Sequence, residues 1–239
     1  MSTGGTAQTY AEAGSLYPIL RGSAFKRDSE GRIIVDRNTG YPSATESIEV
    51  LGNSSPKHIL GLNGSVQYKG LRLAAVAEYR GGYSIFNSGA DGFEFSGSGI
   101  RTTMYNRERF VIPNSSYLDP TTNTYVANNS VTVRDGGAGF WSQSSPNRAI
   151  AENYVVNGAY WKIREISLSY DLPKSILSNL GVVKGVTLAA QGRNLFLFTP
   201  KENLYTDPDY TLGNNAIGIN TLSQTPPTRF FGGSISVTF

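Results

Sequence analysis

The sequence predicts an all-β fold: antiparallel strands forming the C-terminal part of a transmembrane β-barrel, with long loops at one end and short turns at the other. Three observations predict it. Five segments alternate apolar and polar residues with period two, which gives a strand one greasy and one wet face. The links between them are alternately short and long. The last segment, RFFGGSISVTF, is amphipathic and ends on the aromatic Phe239.

The expected strands span about residues 58–68, 71–86, 160–172, 185–198 and 229–239. In the first, His58, Leu60, Leu62, Val66 and Tyr68 oppose Asn63, Ser65 and Gln67. Lys69 and Gly70 then make a tight hairpin. In the second, Leu71, Leu73, Ala75, Ala77, Tyr79, Tyr83 and Ile85 oppose Arg72, Glu78, Arg80 and Ser84. In the third, Ile166, Leu168, Tyr170 and Leu172 oppose Glu165, Ser167, Ser169 and Asp171. Lys162 and Arg164 fall in phase with Ile166 and Leu168, which leaves two readings. Either they point outward and meet lipopolysaccharide phosphates, or a bulge at Arg164–Glu165 turns them inward. The link 173–184 carries PKSILSNLG, read as one or two helical turns with Pro173 at the first position and Gly181 as the stop. In the fourth strand, Val186, Leu188, Ala190, Phe196 and Phe198 oppose Thr187, Gln191 and Arg193. In the fifth, Phe231, Gly233, Ile235, Val237 and Phe239 oppose Ser234, Ser236 and Thr238.

Each segment reaches the ~9–11 residues that a tilted strand needs to cross a bilayer. The connection 88–158 is about seventy residues long and 199–227 nearly thirty. All long connections therefore fall at one end, the extracellular end of an outer-membrane barrel, and the short turns at the periplasmic end. Residues 1–57 are assigned to an extracellular loop and partial-strand region, and 58–239 to barrel strands and loops. Tyr68, Tyr160, Trp161, Tyr170, Phe196 and Phe198 stand at strand ends, where barrels carry aromatic girdles. Aromatics also favour strands in general.

Composition narrows the function. The chain has no cysteine and one histidine, His58, so thiolate sites and histidine clusters are not expected. The net charge of +3 is spread along the sequence, so nucleic acid is not expected as a partner. No catalytic constellation, metal site or cofactor motif stands out, and an enzyme is not expected. No apolar run is long enough for a spanning helix. The mean hydropathy of −0.25 suits alternating barrel strands. Residues 1–20 lack the pattern of a secretory signal, which an outer-membrane protein needs: either it was removed, or this chain is not the start of its protein.

Arg72, Glu78, Arg80, Gln191 and Arg193, with Glu165, are expected to face the lumen. There they either line a solute path or pair with one another in the wall. The 88–158 connection carries Phe93, Phe95, Tyr105, Phe110, Tyr117, Tyr125, Phe140 and Trp141. Trp141 and Tyr105 are the candidates for a ligand or lid contact, and internal packing is the alternative. Asn203, Asp207 and Asp209 read as a turn rather than a calcium site, because their spacing is not that of an EF-hand loop.

These pieces resemble a known family. NGAYWKIREISLSYDLPKSIL followed by LAAQGRNLFLFT is similar to the C-terminal barrel region of starch-utilisation-type (SusC/RagA) TonB-dependent transporters. So are Asp207-Pro208-Asp209, the stretch from Pro227 and Arg229 into the terminal strand, and the hairpin NSSPKHILGLNGSVQYKGLRLAAVAEYRGGYSIFN. The resemblance covers about residues 40–239. It implies an outer-membrane importer of oligosaccharides or peptides in a Gram-negative bacterium, with about 22 strands, a plug and a TonB box. By the same resemblance the partners are a SusD-like surface lipoprotein, TonB through a plug not seen here, lipopolysaccharide and the barrel-assembly machinery, which reads Phe239. Two other readings stand beside it: a small passive porin, which needs at least eight strands, and a soluble β-sandwich that binds carbohydrate.

Overall fold

A computed structural model describes residues 5–142, 145–178 and 181–239. In chain order its strands are β1 (Ala7–Tyr10), β2 (Ile19–Gly22), β3 (Ile33–Ile34), β4 (Glu49–Asn53), β5 (His58–Tyr68), β6 (Leu71–Gly81) and β7 (Ser84–Asn87). There follow β8 (Ser115–Asp119), β9 (Thr124–Ala127), β10 (Val155–Asn157), β11 (Tyr160–Asp171), β12 (Gly185–Phe198), β13 (Ile219–Asn220) and β14 (Phe230–Thr238). The helices are α1 (Ser88–Phe95), α2 (Ala138–Trp141) and α3 (Lys174–Leu177), with a 3-10 stretch at Ile100–Arg107. The chain is all-β, and it divides into two compact units. A loop unit holds Met1–Ser55, Tyr83–Asn157 and Glu202–Thr225; a wall unit holds Pro56–Gly82, Gly158–Lys201 and Pro226–Phe239. The division is interleaved rather than falling at residue 57.

The wall unit is one antiparallel sheet in the order β14-β12-β11-β6-β5, a meander in which every strand pairs with its neighbour in this unit's sequence. The β5–β6 hairpin closes at Lys69 and Gly70, both left-handed at φ 47° and 84°. That pair of positive φ values is the type I′ geometry whose twist matches flanking strands. The register pairs Leu60 with Tyr79, Leu62 with Ala77 and Val66 with Leu73. It continues with Leu168 on Leu73 and Ala190, and Leu188 on Ile235. One apolar face therefore runs unbroken across all five strands, and most of its large side chains are exposed, with Tyr79, Ile163 and Ile166 half-buried. The opposite face carries Gln67 on Arg72, Glu165 on Arg193 and Ser169 on Arg72.

The face carries aromatic rings at both ends. Tyr68 and Tyr170 stand on either side of Leu71. At the other end Trp161 lies between Tyr79 and Phe198, its ring 5.1 Å from that of Tyr79. From Trp161 to Tyr170 the strand runs about 27–30 Å at its ordinary rise. A tilt of ~35–45° turns this into roughly 20–25 Å of height, close to the ~25 Å apolar band of an outer-membrane barrel. Tyr160 departs from the expected girdle: it pairs with Arg80 on the polar face and is buried.

Two other expectations need correction. The second strand does not continue to residue 86. It ends at Gly81, Gly82 turns left-handed at φ 76°, and β7 joins β10 and β13 in a separate sheet of the loop unit. The period-two pattern carries on through Tyr83 and Ile85 because β7 is also a strand, buried on a different core. The helix after Pro173 is a single turn, Lys174–Leu177, with Pro173 just before it at the cap position. Asn179 and Leu180 of the expected helical stretch lie outside the described residues.

The loop unit is built of three small sheets, β1-β2-β4, β10-β7-β13 and β3-β8-β9. Two of their pairings, β13 with β7 and β3 with β8, are parallel. One core gathers Ala7, Leu20, Phe86, Ala90, Ala151 and Tyr154; a second gathers Val35, Tyr41, Ile112, Val133, Phe140 and Trp141.

Candidate functional site

Two places concentrate chemistry. The first is the polar face of the wall sheet. Against β6, Arg164 of β11 is an extra residue, since Ile163 pairs with Ala77 and Glu165 with Val76. Against β12, the register steps at the same level, with Asn194 left-handed at φ 53°. Such a bulge shifts the phase of the strand by one residue. Tyr160 and Lys162 before it, and Glu165, Ser167 and Ser169 after it, therefore share one face although their numbers differ in parity. Lys162 pairs with Glu78 and is buried. Of the two readings of Lys162 and Arg164, the inward one is found, and these residues do not point outward to lipopolysaccharide.

Glu78 is the centre of this face. Arg164 Nε donates to its Oε2 at 2.8 Å, Arg80 Nε donates to its Oε1, and the Tyr160 hydroxyl donates to Oε1 at 3.4 Å. One carboxylate thus holds two guanidiniums in a half-dry setting. Along the sheet, Arg193 Nε donates to Glu165 Oε2 at 2.9 Å across the β11–β12 pair. Arg72 Nη2 reaches Ser65 Oγ at 3.4 Å on β5. Gln191 sits on this face opposite Ser167 and Gly232, beside a cleft edged by Arg164, Arg193 and Phe230. The expected lumen residues thus share one face. Arg80, Glu78 and Arg193 form ion pairs on it.

The second place is an aromatic cleft inside the loop unit. Asn87 caps α1 by accepting from the backbone N–H of Ala90 at 3.2 Å, which fixes the helix that carries Asp91 and Glu94. Arg148 grips Asp91 with two parallel bonds of 2.6 and 2.7 Å, and the buried Tyr154 hydroxyl donates to Asp91 at 3.2 Å. Burial, with the nearby Glu94 and Asp91 charges, pushes the Tyr154 hydroxyl well above its ordinary value, so it stays a donor. Arg101 leaves the 3-10 stretch with its guanidinium 5.2 Å over the Trp141 ring and 3.0 Å from Glu94 Oε1. That ion pair is close but off-line, and neither Glu94 oxygen receives a well-directed hydrogen bond among the described residues. Burial pushes the Glu94 carboxyl up to about 7, with the Arg101 charge opposing the rise and the Asp91 charge adding to it.

The rings interlock. Phe140 meets Trp141 edge-on at 5.0 Å and Phe110 edge-on at 5.2 Å; Tyr105 stacks on Phe110 at 4.4 Å. Between them lies a cavity of about 150 Å³, lined also by Arg101, Asn147 and Asn153. The backbone that carries Tyr105 is strained: Tyr105, Asn106 and Arg107 are all left-handed, at φ 52°, 54° and 62°. Asparagine adopts this conformation readily, whereas Tyr105 and Arg107 each cost roughly 1–2 kcal/mol. The conformation is held by Arg107, whose guanidinium donates to the carbonyls of Thr102 (3.3 Å) and Gly97 (3.2 Å). It is held also by Gly136, where an added Cβ would sit 1.9 Å from the Glu108 carbonyl oxygen.

Of the two loop candidates, Trp141 is 5% exposed and forms part of the cavity wall, while Tyr105 is 47% exposed at its edge. Sequence reasoning did not single out Arg101, Glu94, Asn147 or Asn153; no motif marks them, and Arg101 meets Asn153 across 52 residues. At 203–209 the backbone N–H of Asp209 donates to Asp207 Oδ1 at 3.0 Å, a turn closed by its own side chain. Phe239 follows β14 and is exposed.

No family model matches the chain. It is similar to two proteins of Formosa agariphila: TonB-dependent receptor P3, 22% identical over 188 residues, and TonB-dependent receptor P26, 25% identical over 228 residues. The alignments cover 79% and 93% of this chain, and the chain spans 16% and 20% of the two receptors' lengths. Among solved structures it is similar to the RagAB peptide importer in its open-open state, with TM-score 0.59 and 16% identity, covering 97% of this chain and 24% of the other. A second structure, of the RagAB peptide transporter, gives TM-score 0.54 at 14% identity, covering 93% and 22%. The fold is that of a portion of a TonB-dependent transporter barrel, as the sequence resemblance implied.

Proposed function

We propose that this chain supplies a stretch of barrel wall and the attached extracellular loops of a TonB-dependent outer-membrane importer in a Gram-negative bacterium, with peptides or oligosaccharides as cargo. The observation that carries the reading is the five-strand meander with one continuous apolar face, exposed and bounded by rings at both ends, and one charged face. In lipid every backbone group needs a partner. The sheet ends on β5 and β14, so these two strands pair with further barrel strands in the working transporter. The names of the relatives, TonB-dependent receptors and a peptide importer, support the transport role. A SusD-like lipoprotein, TonB acting through a plug, and the barrel-assembly machinery reading Phe239 belong to the same reading.

The absence of cysteine gives a direct test. Single cysteines at Leu73, Leu188 or Ile235 resist a charged maleimide in intact outer membranes, whereas cysteines at Ser169, Gln191 or Ser236 react. Equal labelling of both sets would sink the wall assignment. Deleting the gene, or abolishing TonB, removes uptake of a labelled peptide or oligosaccharide pool; normal uptake in both strains would count against import.

A further inference from the structure

The loop-unit cleft has an apolar body and, at Asn147, a buried donor without an acceptor among the described residues. Phe110, Phe140 and Trp141 form its walls, and its volume of about 150 Å³ matches that of an engineered apolar cavity able to hold a benzene ring. The polar side is ordered by a chain of donors that starts at a group which can only donate. Arg101 Nη2 points at Asn153 Oδ1 (3.5 Å), so the other end of the Asn153 amide is Nδ2. Asn153 Nδ2 donates to Asn147 Oδ1 at 3.0 Å and to the Asn147 carbonyl at 2.6 Å. Asn147 Nδ2 is what remains. Asn147 is 2% exposed, and its Nδ2 is buried and donates to no acceptor among the described residues. An unmatched buried donor costs roughly 1–3 kcal/mol. The Tyr105–Arg107 turn at the edge costs roughly 2–4 kcal/mol more, by the sum of left-handed Tyr105 and Arg107. Both are the marks of a site rather than of plain packing.

The chemistry of the occupant follows from that inventory. It has an apolar group the size of one six-membered ring or a branched aliphatic side chain, and an acceptor oxygen close to it. A hexose does not fit: each of its several hydroxyls needs a partner, and the lining is mostly apolar. We propose that the cleft binds a hydrophobic residue of a peptide, its side chain seated between Phe110, Phe140 and Trp141 and its carbonyl oxygen accepting from Asn147 Nδ2. Binding stands on the cleft alone; that the peptide is the imported cargo rests on the import reading above.

The test is calorimetric titration of the whole protein, as its host makes it, in detergent. The probes are N-acetyl-phenylalaninamide, toluene and maltose. The amide binds at one saturable site, toluene displaces it, and maltose does not. In Asn147→Leu the affinity for the amide falls about tenfold, the worth of one buried hydrogen bond, while toluene binds as before. Tyr105→Ala, at an exposed position that does not endanger folding, weakens both aromatic probes about threefold through the lost ring contact. The proposal is overturned if wild type shows no saturable amide binding, or if maltose displaces the amide. It is also overturned if Asn147→Leu melts like wild type yet loses toluene and amide equally, or if Tyr105→Ala leaves both affinities unchanged. Uptake lost in a tonB deletion with binding intact leaves both readings standing. Binding absent with normal TonB-dependent uptake removes this one alone.

Discussion

The face assignment is most sharply tested at two adjacent residues of β11. Ile166 lies midway between Trp161 and Tyr170, and its neighbours across the sheet are Ala75 and Gly192. Ser167 is next to it on the other face, between Ala74 and Gln191. Ile166→Arg puts a guanidinium at the centre of the apolar face, where small neighbours offer it neither a counter-charge nor an acceptor. In an outer-membrane barrel an Arg at the bilayer midplane costs ~2–4 kcal/mol. At about 3 kcal/mol the unfolded fraction rises more than a hundredfold. Ser167→Arg presents the same group to a polar face with Gln191 beside it, and costs within about 0.5 kcal/mol. The assay is urea unfolding of each protein from lipid vesicles, followed by its heat-dependent mobility on a gel. Were the apolar face of this sheet bared to water, Ile166→Arg would be tolerated as a surface change. Equal costs for the two substitutions, or a greater cost for Ser167→Arg, would refute the reasoning.

Three further outcomes follow from the geometry. Glu78→Gln strips the charge that holds Arg80 and Arg164, at a carboxylate 18% exposed, and lowers stability by about 2 kcal/mol, below the ~3–5 of a fully buried pair; an unchanged urea midpoint would exclude the network as a wall element. The Glu94 carboxyl, raised from 4.5 to about 7 in the fold, binds its proton more tightly folded than unfolded. Its contribution is therefore full below pH 4.5 and lost as pH rises through 7, a fall of at most about 3 kcal/mol. Melting curves at pH 5 and pH 8 should differ in wild type and converge in Glu94→Gln; parallel behaviour of the two proteins contradicts the assignment. Deleting Phe239 lowers the yield of folded barrel in the outer membrane, read by fractionation, and undiminished yield argues against its role in assembly.

Much of the wall was legible because one physical contrast acts on every residue of it. One apolar and one polar side impose period two, and the five strands stand within a few residues of where that period places them, with the one overrun at Gly82. Short turns were legible for a local reason, since Lys69-Gly70 supplies the positive φ values that the hairpin needs. The loop unit had no such signal. Its strands are two to five residues long, too short to show a period. Its parallel pairs join Ile33 to Ser115 and Phe86 to Ile219 across intervals no local pattern spans. Trp141 could be named as an aromatic on a long connection. That its ring would lie under Arg101 and against Phe140 depends on the 3-10 stretch from Ile100, which no periodicity marks.

The bulge at Arg164 shows how little separates the two kinds of information. Strict alternation along β11 would put Lys162 with Ile166, on the lipid side, and leave Glu78 facing an empty position. One inserted residue reverses the phase for everything before it. Lys162 then meets Glu78, Arg164 folds back to the same carboxylate, and Tyr160 donates to it from below. Moving a lysine head and a guanidinium out of lipid is worth several kcal/mol, far more than the ladder bonds a bulge gives up. On the proposed membrane reading, residues that break the alternation are therefore evidence for the bulge, because hydrocarbon leaves charged side chains no other inexpensive position. The same reasoning places the polar face: where period two would strand a charge in hydrocarbon, the backbone yields before the charge does.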